Sequence, residues 1–144
     1  MTFVRLILHV VLPIFVGTCI YIGWHSPSLL VFRWIEFSGL EPFIIRPSVE
    51  LPNWMLYSLP DGCWVYAATS LMLLVWNRFV PWVWLSVVLA VASEVGQATG
   101  YVTGTFDWRD IYFYVGSFLI AGELHAQTRS INCGDALHDR SRAW

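Results

Sequence analysis

Glu94 is the residue best placed to do chemistry in this 144-residue chain. It lies in Ala90-Val-Ala-Ser-Glu-Val-Gly-Gln-Ala98, deep in an apolar run. A carboxylate at the centre of a bilayer costs about 2.5 kcal/mol or more on insertion scales. Such a group must face protein, water or a partner, or hold its proton. Gln97, three positions on, shares its helical face, and Ser93 is adjacent. The chemistry open to this set is proton exchange or hydrogen bonding to a polar ligand; an interhelical hydrogen bond is the structural alternative. Asp61, Asp107, Arg109 and Asp110 also border apolar runs. Asp61 follows Pro60, and Asp107 precedes Asp110 by three residues, the spacing of a capping box. These acids can cap helices or line a site. Arg109 can neutralise an acid or hold a phosphate or carboxylate.

Composition indicates the elements that must position these residues. Hydrophobic residues make up 57% of the chain and charged residues 12%, about half the charge of a typical soluble domain. The basic residues are all arginine, and the net charge is −2. So few charges cannot cover a soluble fold of this size, most of whose residues lie near its surface. The composition argues against a cytosolic enzyme and for an integral protein of a lipid bilayer. No basic tract marks a nucleic-acid partner. Cys19, Cys63 and Cys133 form no CxxC, and His9, His25, His125 and His138 form no HxxxH or HExxH. Neither a metal site nor a cofactor is expected, and with no catalytic triad or phosphate loop the sequence leans away from an enzyme.

Four segments approach the roughly 20 apolar residues that a bilayer core demands. They cover about 3–24, 62–77, 80–98 and 110–126. The expected fold is an all-α membrane protein: a four-transmembrane-helix bundle over 1–127, with a polar C-terminal tail over 128–144. The first segment lacks a small-residue cleavage site and reads as an uncleaved anchor. Asn77-Arg78 ends the second segment, and Pro81 opens the third, where its missing N–H costs nothing. The first loop, His25 to Pro60, holds five prolines around the apolar stretch Leu29–Phe37. That stretch is too short to span; it fits an interfacial or re-entrant helix, or one packed across the bundle mouth.

Arginine placement favours cytoplasmic termini, with Arg5, Arg78, Arg129, Arg140 and Arg142 inside and Arg33, Arg46 and Arg109 outside. In that topology Asp61, Glu94, Gln97, Asp107, Arg109 and Asp110 converge at one extracytoplasmic mouth. Gly96 and Gly100 give a small-xxx-small spacing, a helix-packing face for a neighbouring helix or a second copy.

Ser93-Glu-Val-Gly-Gln97, followed by Gly104-Thr-Phe-Asp-Trp-Arg-Asp110, resembles the VanZ-like family of small bacterial membrane proteins. That family has an Asp opening one span, Glu-x-x-Gln near the end of the next, Phe-Asp-x-x-Asp opening the last, and a Gly-rich final helix. Asp61, Glu94, Gln97, Phe106, Asp107, Asp110 and Gly116 stand in matching places, over about residues 57–122. The chain departs from the pattern at Gly62, Val65, Gly104 or Thr105, and Tyr114, where the family carries Lys, His, Arg and Asn. The resemblance implies a bacterial inner (cytoplasmic) membrane and the cell envelope, with an association with resistance to teicoplanin-like glycopeptides. It implies a topology and a compartment rather than a reaction. The expected function is binding of an envelope lipid or related ligand at the polar mouth. A non-catalytic subunit or assembly factor of a larger membrane complex is the alternative. A proton-linked transporter using Glu94 as relay is weaker, because four spans are few and no inverted repeat is apparent.

Overall fold

The computed structural model describes residues 2–24, 37–39, 48–76 and 80–141, with side chains from 3 to 128. Nearly all of the Leu29–Phe37 stretch, and the Asn77-Arg78 boundary, lie outside the described residues. All regular structure among those residues is helical. The chain opens with α1 (Thr2–Leu6), a π-helical turn (Ile7–Val11) and α2 (Leu12–Trp24). The π turn has a local cause. Pro13 has no N–H, and in a regular helix its ring would press on the His9 carbonyl. The wider turn, in which the Leu12 N–H reaches back to the Ile7 carbonyl, carries the chain past that clash.

A short helix, α3 (Asn53–Leu56), leads into α4 (Ser58–Trp76). A 3-10 turn (Pro81–Trp84) leads into α5 (Leu85–Ala98), and α6 (Trp108–Ser141) closes the chain. Pro81 stands at the first position of its turn, as its missing donor requires. α4 begins earlier than the expected residue 62, because Pro60 falls in the first turn, where no backbone donor is needed. Asp61 therefore sits inside the first turn of α4 rather than capping it.

Phe3–Trp24, Asn53–Trp76 and Pro81–Ala98 are long and apolar enough to cross a membrane. The expected fourth segment, 110–126, lies within α6 and does not reach that apolarity, since Gly116, Ser117, Gly122, Glu123 and His125 dilute it. α6 continues as helix into the polar C-terminal segment, through Ser141.

α4 is the central element, with α2 packed on one side and α6 along another. Both approaches use a missing side chain. A Cβ at Gly17 would lie 3.1 Å from the Pro60 carbonyl oxygen, and one at Gly62 would lie 3.0 Å from Ser117 Oγ. The core comprises Val65, Leu73, Val83, Val87, Tyr114 and Phe118, drawn from α4, the 3-10 turn, α5 and α6. Trp84 covers Phe118 with ring centroids 4.7 Å apart. The outer surface is apolar: Phe3 is 72%, Phe15 64% and Leu89 60% exposed. Contiguous apolar surface of this extent is foreign to a monomer in water and natural against hydrocarbon.

Candidate functional site

α4 and α6 begin where α5 ends, so two first turns and one last turn meet at one end of the bundle. A cavity of about 420 Å³ opens there, within the size range of small-molecule sites. Asp61, Glu94, Gln97, Asp107, Arg109 and Asp110 all line it. The six polar residues that the topology brings together are thus adjacent in space.

Glu94 is its buried centre, 2% exposed at the last full turn of α5. One carboxyl oxygen, Oε2, accepts the Asp107 backbone N–H at 3.3 Å. The other, Oε1, accepts the Tyr114 hydroxyl at 3.2 Å. The same hydroxyl lies 3.2 Å from Asp61 Oδ2. A phenol has one proton, so it donates to one carboxyl at a time. Tyr114 therefore joins α4, α5 and α6 through a single shared donor.

Asp107 is the N-cap of α6. Its Oδ1 accepts the Arg109 N–H at 2.9 Å and its carbonyl accepts the Asp110 N–H at 3.2 Å. Capping and site roles coincide here, since the backbone N–H of the same residue holds Glu94. Asp110 does not complete a reciprocal capping box: its Oδ1 is buried with no hydrogen-bond partner, on the cavity wall. Arg109 is exposed at the rim.

The loop from α5 to α6 seals the remaining side. Beyond the last turn of α5, the Tyr101 and Val102 N–H groups both return to the Gly96 carbonyl. Gly104 has φ +149°, and a Cβ there would lie 2.6 Å from Gln97 Cδ, so the loop presses directly onto the Gln97 amide. The same fold-back changes the reading of Gly96 and Gly100. α5 ends at Ala98, which leaves Gly100 in the turn with φ +77°. A Cβ at Gly96 would lie 2.6 Å from Val102 Cγ2. The close approach that Gly96 permits is made by the chain's own loop, and the pair forms no helix face.

Charge does not single out Tyr114, nor Tyr21, Asn53, Trp54, Tyr57 and Ser58, which line the cavity wall. A signal for Tyr114 existed: it lies four residues after Asp110 and seven after Asp107, on their helical face.

At the opposite end, Arg5, His9, Ser70, His125 and Thr128 surround a cavity of about 20 Å³, room for one water. His9 Nδ1 and the Tyr66 hydroxyl are 2.6 Å apart beside it. This second polar cluster is too small for a ligand. Among the described residues no group of three or more His, Cys, Asp or Glu side chains is arranged to hold a metal ion. No family model, curated protein or solved structure matches the chain.

Proposed function

We propose that the chain is a VanZ-like, multi-pass protein of a bacterial inner membrane that binds the head of an envelope lipid at its polar mouth. The observation that carries this reading is the single cavity lined by Asp61, Glu94, Gln97, Asp107, Arg109 and Asp110. An apolar exterior around a polar, water-accessible end suits a protein whose ligand lives at the membrane interface. The first part of α6 crosses alongside the three more apolar stretches. Its burial along α4, at Tyr114, Phe118, Ala121 and Gly122, shields it from lipid, so less apolarity is required of it. Both termini face the cytoplasm, as the arginines favour, and the mouth faces outward.

The test is lipid retention. The full chain, purified in mild detergent from its membrane, is expected to carry bound lipid visible by native mass spectrometry. Glu94→Gln and Asp110→Asn should lower that occupancy at least fivefold while membrane level and helix content stay unchanged. Full retention in both variants would overturn the reading.

A further inference from the structure

A second cavity meets the mouth. It holds about 310 Å³ on the flank of the bundle and is lined by Trp64, Val65, Ala68, Ser86, Ala90 and Ser93, with Asp61 and Tyr114 at its edge. Asp61 also lines the mouth, so one carboxyl group borders both spaces. The flank groove lies between α4 and α5. It covers Asp61 to Ala68 on one helix and Ser86 to Ser93 on the other. Each is eight residues, or about 10 Å of helix rise from first to last. Its far end is closed by hydroxyls: Thr69 Oγ1 and Ser86 Oγ are 2.8 Å apart, tied to the Val65 and Val83 carbonyls. The groove is therefore a short, largely apolar furrow, open along the bundle flank, that meets the carboxyl groups at Asp61.

Acidic side chains outnumber basic ones in the lining of the mouth. Asp61, Glu94, Asp107 and Asp110 face one guanidinium, Arg109, which stands at the exposed rim. Asp110 Oδ1, without a protein donor, adds an unfilled acceptor on the wall. A group with positive charge and N–H donors complements this inner lining, whereas an anion fits only at the rim, beside Arg109.

Resting on the reading of the mouth as a headgroup site, we infer that the occupant is an amine-bearing phospholipid. Its ammonium group lies among the carboxyl groups, its phosphate beside Arg109, and the first part of one acyl chain in the groove between α4 and α5. The polar and apolar cavities are two halves of one amphiphile site, joined at Asp61.

Titration of the full chain in detergent with three probes tests this. These are a short-chain phosphatidylethanolamine, phosphatidylglycerol with the same chains, and glycerophosphoethanolamine, which is the head alone. The expected result is at least tenfold tighter binding of phosphatidylethanolamine than of phosphatidylglycerol, with Asp110→Asn reducing that preference at least fivefold. Ala90→Trp fills the groove from α5 and should weaken phosphatidylethanolamine about tenfold while leaving the head-alone probe unchanged. Ala68→Leu, a smaller change from the facing helix, should act in the same direction, and circular dichroism checks that both variants fold. Equal binding of the two lipids, still lost in Asp110→Asn, would overturn the amine while sparing the mouth. Phosphatidylethanolamine binding unaffected by either groove variant would overturn the chain placement. Lipid binding that ignores Glu94→Gln and Asp110→Asn alike would bring down the mouth reading itself.

Discussion

Tyr114 holds the site together at the scale of single residues. Among the described residues its hydroxyl is the one side-chain donor between Asp61 and Glu94, and its ring belongs to the core. Tyr114→Phe keeps the ring and removes the donor that Asp61 and Glu94 share, so one carboxyl hydrogen bond is lost in a buried setting. The expected cost is about 1–3 kcal/mol, measured as a shift in the unfolding midpoint of the detergent-solubilised protein. Tyr112→Phe, at a position 75% exposed, is the control and should stay within about 0.5 kcal/mol. The contrast between these two tyrosines also shows what sequence can reveal. Glu94 and the aspartates are conspicuous because a charge in an apolar run is costly wherever it falls. A tyrosine among Tyr112, Phe113 and Phe118 is not, since an amphipathic ring serves equally as core or as an interfacial anchor.

At the scale of elements, the glycines separate strain from space. Gly104→Ala puts an L side chain at φ +149° and against the Gln97 amide. It should cost about 1–3 kcal/mol in stability and swing Gln97 from its place in the mouth. Gly116→Ala is the opposite case. It lies within α6 with nothing inside 4 Å of the new methyl group, and should stabilise by about 0.5–1 kcal/mol through helix propensity. Thermal unfolding of the two variants side by side checks both signs. Element boundaries were legible where proline chemistry is strict, as at Pro81. They were less so at α4, where Pro60 is tolerated one turn inside the helix. The Gly96–Gly100 spacing was visible but ambiguous. Whether a glycine admits a foreign helix or the chain's own loop depends on where α5 stops, which spacing alone does not fix.

At the scale of the whole molecule, hydropathy and arginine placement suffice to predict which residues share an end. They do not reveal that α4 is the centre, because that depends on Gly17 and Gly62 meeting particular neighbours. Nor do they reveal that α6 packs along α4 through Tyr114, Phe118, Ala121 and Gly122. The proposed orientation can be checked by labelling. In a chain with Cys19, Cys63 and Cys133 replaced by Ser, Thr105→Cys should react with a membrane-impermeant maleimide in intact cells. Thr2→Cys should react only after the membrane is opened. The reverse pattern would place the mouth in the cytoplasm.

Val65, Val87 and Phe118 of the packed core lie along their helices between the mouth at Asp61 and Glu94 and the small cavity around Arg5 and His125. In a spanning protein such a layer acts as electrical insulation. Most of the transmembrane voltage falls across the dry stretch, where a full drop is worth about 2.3 kcal/mol per charge at 100 mV. The wet mouth stays near the potential of the solution it opens to. A charged group bound at the proposed site would cross little of the field, so its occupancy would follow the composition of the adjacent leaflet rather than the energised state of the membrane.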